Sequence, residues 1–176
     1  MITTKIITEE HKDDINIKNH PFKLFGLMLL SYNNGKWDYT ELLFPKENVT
    51  EMCFPDEDYD FEAMSQNSVF VGAYDGDRCV GLAILQQAFL KYMYLYDLKV
   101  NPDRRGQGVG RLLIGKCKEI ALQQGYRGLY TQGQDNNLGA CRFYLKSGFV
   151  IGGLDTHVYM GTAQENKKDI LFYCDA

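Results

Sequence analysis

The most constraining feature of the sequence is a glycine-rich segment at residues 104–113, which reads Arg-Arg-Gly-Gln-Gly-Val-Gly-Arg-Leu-Leu. It lies between an apolar stretch typical of a strand and an amphipathic stretch typical of a helix. Its alternate glycines, Gly106, Gly108 and Gly110, carry no Cβ atoms, so a ligand can approach the backbone closely. Unpaired amide N–H groups and the positive end of the helix dipole favour an anion at such a point. The segment therefore predicts a phosphate-binding turn between a strand and a helix.

Two common phosphate-binding motifs do not match this segment. A P-loop requires Lys and then Ser or Thr after its last glycine, whereas Gly110 is followed by Arg111 and Leu112. A dinucleotide-binding fold requires Gly-x-Gly-x-x-Gly and an acidic residue about 20 positions further on. The strand predicted near residues 128–132 has no acidic residue at its end before Asp135. Both motifs are disfavoured.

Two segments resemble the signatures of the GNAT superfamily of N-acetyltransferases. Residues 105–110, Arg-Gly-Gln-Gly-Val-Gly, resemble its Arg/Gln-x-x-Gly-x-Gly/Ala pattern. Residues 137–149 resemble its Asn-x-x-Ala-x-x-Phe-Tyr-x-x-x-Gly-Phe pattern, with Asn137 first and Tyr144 at the tyrosine position. With the preceding strand, the two motifs cover about residues 92–150.

The resemblance implies that acetyl-CoA is the co-substrate and that the glycine loop holds its pyrophosphate. It also implies that the strands ending at Val100 and Gln132 are parallel neighbours that splay apart to admit the pantetheine arm. The residues expected to contact the cofactor are Leu98, Lys99, Val100, Arg105, Gly106, Gln107, Gly108, Val109, Gly110, Arg111, Asn137 and Tyr144.

Hydrophobic periodicity and turn residues predict a single domain over residues 1–176, of the α+β class. The resemblance implies a mostly antiparallel mixed sheet with one splayed parallel pair and helices on both faces. The strands are expected at residues 2–8, 22–32, 37–44, 68–74, 78–87, 92–100, 128–132, 149–162 and 169–173. The helices are expected at 108–124 and 137–147, with a short one near 61–66. Asp135 and Asn136 are candidate caps for the helix at 137–147.

Composition disfavours several classes of function. A net charge of −4 argues against a nucleic-acid partner. Five cysteines without a Cys-x-x-Cys pair indicate reduced thiols in a cytoplasmic protein, and three isolated histidines give no reason to expect a metal. No apolar run is long enough to cross a membrane, and the N-terminus lacks the apolar core of a signal peptide.

Residues 41–62 contain eight acidic side chains and one basic side chain. This acidic stretch is either a solvated loop surface or an electrostatic funnel for a cationic substrate.

Acetyl transfer to an amine requires groups that move protons. The resemblance implies that the Tyr144 phenol is the general acid for the departing thiolate. Asp97, on the strand that enters the site, is a candidate base. It is equally a candidate for a structural carboxylate bonded to a neighbouring loop. The other candidates for the acceptor pocket or the base are Glu41, Tyr94, Tyr96, Gln132, Asp135 and Asp155.

Within the superfamily, the chain resembles the streptothricin acetyltransferases most, in residues 39–43, 134–137, 140–144 and 151–156 and at Tyr159. Those enzymes acetylate the β-lysine amine of a cationic antibiotic. Two positions depart from that branch, because Tyr96 and Gln132 stand where it carries glutamate. These losses weaken the attraction for a polycation.

Other amines therefore stay open as acceptors: a polyamine, an aminoglycoside or a protein lysine. A module that senses acetyl-CoA without turnover is a further alternative. The apolar residues 170–173 are compatible with a homodimer and equally with a strand buried inside one subunit.

Overall fold

The computed structural model describes all residues from 1 to 176, and they form two compact units. Unit 1 comprises Met1–His20, Phe54–Leu129 and Asp175–Ala176. Unit 2 comprises Pro21–Cys53 and Tyr130–Cys174.

The chain contains eleven strands and three α-helices. The strands are β1 (Ile2–Ile6), β2 (Phe22–Leu24), β3 (Gly26–Asn33), β4 (Lys36–Leu43), β5 (Thr50–Met52), β6 (Ser68–Asp75), β7 (Arg78–Gln86), β8 (Tyr92–Val100), β9 (Gly128–Gln134), β10 (Val150–Asp155) and β11 (Asp169–Asp175). The helices are α1 (Phe61–Met64), α2 (Val109–Gln123) and α3 (Leu138–Lys146). Short 3-10 helices occupy Glu9–Asn16, Lys46–Asn48 and Pro102–Arg104.

Unit 1 is built on four antiparallel neighbours in the order β1-β6-β7-β8. Helix α2 packs on one face, where Val109 and Leu113 lie within 3.2 Å of the point that a Cβ on Gly81 would occupy. Ile15 of the first 3-10 helix covers the other face, in a buried cluster with Leu82 and Ile84. Helices therefore lie on both faces of these strands, as expected. The predicted apolar face of α2 is buried throughout: Val109, Leu113, Cys117, Ile120 and Ala121.

A β-bulge in β8 decides which way its polar residues point. Ile84 of β7 pairs with Asp97, while the next residue, Leu85, pairs with Leu95. Tyr96 is therefore the extra residue, and the alternation of faces shifts by one position there. Leu95 and Asp97 consequently lie on opposite faces, although regular spacing would put them on the same one. The bulge turns Asp97 away from α2 and towards the face covered by the first 3-10 helix.

Unit 2 contains the antiparallel pairs β2–β5, β3–β4 and β10–β11, with most of β9 beside β11. The β3–β4 hairpin turns through Asn34 and Gly35, both at positive φ, as is typical of an Asn-Gly turn between two strands. Strand β11 is paired on both sides, so the apolar residues 170–173 lie inside the sheet.

Three predictions for unit 2 were wrong in detail. The strand expected over 22–32 is two strands, β2 and β3. The strand expected over 149–162 ends at Asp155, because that carboxylate accepts hydrogen bonds from the amides of His157 and Val158 and so forms a turn. The cap of α3 is Asn137, whose side chain accepts from Ala140 N, rather than Asp135 or Asn136.

The chain thus has an α+β fold with a mostly antiparallel mixed sheet and one parallel pair, which confirms the predicted class. None of its helices combines the length and the apolar character needed to span a membrane.

Candidate active site

The glycine loop leads directly into α2 in unit 1. Gly106 and Gly108 have φ values of 74° and 83°, which side chains other than glycine rarely adopt. A Cβ added to either residue would meet no atom within 4 Å. Packing therefore does not require glycine here, whereas the backbone conformation does. Gly108 is the N-cap of α2, and no side chain caps that end. The first amides of the helix are therefore not satisfied by a side-chain cap.

The long side chains around this loop hold its shape. Arg105 Nε donates to Val100 O at 3.0 Å, and Gln107 Nε2 donates to Asp103 O at 2.9 Å. Arg104 is ion-paired with Asp75. The Arg105 contact fixes the loop to the end of β8, and the other two hold it to Asp103 and Asp75.

Asp97 lies at the centre of a hydrogen-bonded network in unit 1. Tyr59 Oη donates to Asp97 Oδ2 at 3.0 Å, and Lys99 Nζ lies 3.2 Å from the same oxygen. Lys99 also forms an ion pair with Glu57. Burial raises the pKa of Asp97 above its usual value, against the opposing effects of Lys99 and the Tyr59 hydrogen bond. A carboxylate with a raised pKa is a better proton acceptor than an exposed one.

Tyr59, the partner of this carboxylate, belongs to a group of three tyrosine rings. The rings of Tyr94 and Tyr96 meet edge to face, with centroids 5.9 Å apart. Tyr59 and Tyr96 make a similar contact at 6.2 Å. Tyr96 is 44% exposed and so presents an accessible aromatic surface. Such rings attract ammonium groups that lie over their faces.

Two predicted site residues lie on α3 in unit 2. The ring of Tyr144 packs against Phe149 and Phe172, each with a centroid distance of 5.4 Å. Asn137 uses Oδ1 to cap the helix, and its Nδ2 forms no hydrogen bond within the chain. This amide N–H₂ group is able to donate to a ligand.

The remaining acceptor candidates in unit 2 have different surroundings. Glu41 is ion-paired with Arg142, and that hydrogen bond lowers the pKa of the carboxyl. A carboxylate held in this way is a poor base. Asp155 caps the turn after β10, Asp135 is buried and accepts from Lys168 N, and Gln132 is exposed.

Tyr59 and Glu57 were not singled out by the sequence. They lie 38 and 40 positions before Asp97, inside the acidic stretch whose role the sequence left open. The one available signal was the density of carboxylates in a stretch of the chain that also contains tyrosine. No group of three or more His, Cys, Asp or Glu side chains is arranged to hold a metal ion.

Comparison with known proteins identifies the family. The model of the acetyltransferase (GNAT) family matches residues 36–149. Streptothricin acetyltransferase A of Bacillus subtilis (strain 168) is 32% identical over 167 residues, which cover 95% of this chain and 96% of that protein.

Solved structures of other acetyltransferases are also similar to this chain. A protein of Bacillus anthracis str. Ames, provisionally named a streptothricin acetyltransferase and solved in complex with acetyl coenzyme A, is 26% identical with a TM-score of 0.87. That similarity covers 100% of this chain and 99% of the other. Nourseothricin acetyltransferase, at 22% identity, has the same fold, with a TM-score of 0.79 over 99% of this chain and 98% of its own. These similarities agree with the positions of the glycine loop, β8 and α3. The chain belongs to the GNAT family of acetyltransferases.

Proposed function

We propose that the protein transfers the acetyl group of acetyl-CoA to a primary amine of streptothricin, on its β-lysine moiety. The observation that carries this proposal is the similarity to a streptothricin acetyltransferase over 95% of the chain. A structural neighbour with a TM-score of 0.87 was solved with acetyl coenzyme A, which supports the choice of acetyl donor.

The glycine loop fits the diphosphate of acetyl-CoA. Its two positive-φ glycines leave open space where a Cβ would stand, and the start of α2 offers amide N–H groups to an anion. Arg105 and Gln107 hold the loop in place, so little ordering remains to be done when the cofactor binds. Leu98, Lys99 and Val100 of β8 and the free Nδ2 of Asn137 are the proposed partners of the pantetheine arm.

The proton transfers are assigned to Asp97 and Tyr144. The ammonium group must lose one proton before its nitrogen can attack, and Asp97, whose pKa is raised by burial, accepts that proton directly or through water. As the nitrogen bonds to the acetyl carbon, the carbon–sulfur bond breaks and the phenol of Tyr144 donates a proton to the departing thiolate. The second proton, which leaves the nitrogen as the amide forms, restores the phenol through solvent.

The acceptor pocket is assigned to Tyr94 and Tyr96 near Asp97, with Gln132, Glu41 and Asp155 as further candidates. Two aromatic rings and one buried carboxylate suit an ammonium group. This set of groups favours a cationic acceptor over a neutral one.

Two further expectations belong to the proposal. None of the five cysteines forms a disulfide, which supports a cytoplasmic location. A homodimer stays a prediction, and β11 does not supply its interface edge because it is paired on both sides.

Thiol release on mixing the purified protein with acetyl-CoA and an amine tests the proposal. The amines are streptothricin, spermidine, an aminoglycoside and a lysine peptide. We expect streptothricin to give the highest kcat/KM. Thiol release with another amine but none with streptothricin would disprove the acceptor assignment. No release with any of the four would contradict catalysis by this site and favour the acetyl-CoA sensor.

A further inference from the structure

The two oxygens of the Asp97 carboxylate have different partners. Tyr59 Oη and Lys99 Nζ both contact Oδ2, at 3.0 Å and 3.2 Å. Oδ1 forms no hydrogen bond within the chain, and it is not among the polar atoms that are sealed from solvent without a partner. The side chain is 16% exposed, so Oδ1 is its accessible atom. One oxygen is anchored and the other is available to an external donor.

The anchoring groups are themselves held in place. The Lys99 side chain is 9% exposed, is ion-paired with Glu57, and donates to the Ile17 carbonyl at 3.4 Å. Asn19 Nδ2 donates to the same Glu57 oxygen at 2.8 Å. The Tyr59 backbone is tied to Asn16, since Tyr59 N donates to Asn16 Oδ1 at 2.8 Å and Asn16 Nδ2 donates to Tyr59 O at 3.2 Å. Both bonds to Oδ2 therefore come from side chains with little freedom to move.

The phenol of Tyr59 is a dependable donor. Burial and the neighbouring Asp97 raise its pKa far above the ordinary value for tyrosine, so it keeps its proton at any pH at which the protein works. A carboxylate with one fixed oxygen has its other oxygen in a fixed direction as well. Rotation about the bond to Cβ, which would exchange the two oxygens, would break both contacts.

We propose that Tyr59 is a positioning residue for the acceptor amine, because its hydrogen bond to Oδ2 of Asp97 aims Oδ1 at the ammonium group of the substrate. This inference rests on the proposed function, since it takes Asp97 as the base. It extends that function to residues 54–60 of the acidic stretch. That stretch thereby supplies part of the acceptor site through Tyr59.

The ring of Tyr59 adds a second contribution. It meets the exposed Tyr96 ring edge to face, with centroids 6.2 Å apart, so the residue that holds Asp97 also supports an accessible aromatic ring. An ammonium group held by Oδ1 and by this ring would gain the stabilisation that a ring face gives to positive charge. Positioning of the base and recognition of the amine therefore share one side chain.

The proposal predicts a pH effect of definite sign. The groups that face Asp97 are Tyr59 and Glu57 from the acidic stretch and Lys99 from its own strand, while Ile84 on β7 is apolar. The Tyr59 hydrogen bond stabilises the ionised carboxylate and so lowers the pKa of Asp97. Removing this bond must raise the pKa of Asp97 further. As the pH is lowered, the variant then loses activity at a higher pH than the wild type does.

The test compares Tyr59→Phe with Tyr92→Phe. The control removes a similar bond, from Tyr92 Oη to Asp175 Oδ1 at 2.6 Å, on the same strand but outside the site. The first readout is the titration of the Asp97 carboxyl by 13C NMR, with the signal assigned from Asp97→Asn. The second is the pH profile of kcat/KM for the amine, with KM for acetyl-CoA measured in parallel.

We expect Tyr59→Phe to move the Asp97 titration and the acidic limb of the profile to higher pH together. Near neutral pH, kcat/KM for the amine should fall about tenfold, as for loss of one hydrogen bond to a charged group. KM for acetyl-CoA should not change in Tyr59→Phe. In Tyr92→Phe, the Asp97 titration and the acidic limb of the profile should both stay as they are in the wild type.

Two results would overturn the proposal. One is an Asp97 titration with the same midpoint in Tyr59→Phe as in the wild type. The other is a titration that moves while the acidic limb does not. Failure of the proposed function is recognised separately, because the wild type then leaves streptothricin unmodified. In that case the pH profile is measured with whichever amine of the panel is consumed.

Discussion

At the scale of single residues, the sequence predicted the candidate base Asp97 but not the residues that bind its carboxylate. Asp97 was a candidate from its place on the strand that enters the site. The sequence left open whether it was a base or a carboxylate tied to a loop, and the network shows that it is bonded to a loop residue, Tyr59, while one oxygen stays available. Tyr59 was not predicted, because a contact between residues 38 positions apart leaves no periodic signal in the sequence.

A first prediction concerns Tyr144. Tyr144→Phe should lower kcat by about 10²–10⁴, the usual effect of losing one proton-transfer group. KM for acetyl-CoA and the melting temperature should change little, because phenylalanine keeps the ring that packs on Phe149 and Phe172. Tyr173→Phe, a tyrosine stacked on Tyr130 in the same unit, is the matched control for steady-state kinetics. A kcat near that of the wild type would remove Tyr144 from the mechanism.

A second prediction concerns Tyr96, which stands where the streptothricin branch carries glutamate. Tyr96→Glu should lower KM for streptothricin by up to about fivefold at low salt, since an accessible charge pair contributes up to about 1 kcal/mol. The gain should shrink with added salt. Leu122→Glu on α2, 54% exposed, controls for the added charge. An unchanged or higher KM in Tyr96→Glu would show that the acceptor ammonium does not approach this position.

At the scale of elements, sequence patterns predicted the secondary structure correctly wherever residues close together in the sequence determine it. The bounds of β8, the buried face of α2 and the Asn34–Gly35 turn follow from alternation, helical spacing and turn chemistry. The bulge at Tyr96 did not follow, because the pairing of β8 with β7 creates it and neither strand encodes it separately. The over-long strand at 149–162 fails for a related reason, since Asp155 turns the chain through its own side chain.

A third prediction separates backbone strain from ligand binding in the glycine loop. Gly108→Ala and Gly76→Ala both place a Cβ on a positive-φ residue in open space, so each should destabilise the fold by about 1 kcal/mol. Only Gly108→Ala should weaken acetyl-CoA binding, by roughly tenfold, because the added Cβ would displace the diphosphate from the backbone amides and weaken a hydrogen bond to a charged group. Chemical denaturation and calorimetry give the two quantities. Equal acetyl-CoA affinity in the two variants would place the diphosphate elsewhere.

At the scale of the whole molecule, the family resemblance predicted most. The α+β class, the mixed sheet and acetyl transfer are confirmed, because the two short motifs belong to a fold that the family shares. The single domain over 1–176 stays a prediction. Composition limited the function classes but did not decide the role of the acidic stretch, which looks the same in sequence whether it is a solvated loop surface or an electrostatic funnel.

A fourth prediction concerns acid stability. Arg127 and Tyr92 bind the Asp175 carboxylate and lower its pKa to about 2 from an ordinary 3.8. Because the folded-state pKa is the lower one, the stabilisation is complete above pH 4 and disappears as the pH falls through 2. The difference in unfolding free energy between wild type and Asp175→Asn should shrink over that range and also with salt, as the pair is exposed. A difference that is the same at pH 2 and pH 6 would contradict this assignment.

The most direct test of the central claim is a tandem mass spectrum of streptothricin after incubation with the purified protein and acetyl-CoA. We predict one added acetyl group, located on an amine of the β-lysine moiety, and no product when Asp97→Asn and Tyr144→Phe are combined. Unmodified streptothricin at complete saturation with acetyl-CoA, or an acetyl group on any other part of the molecule, would contradict it.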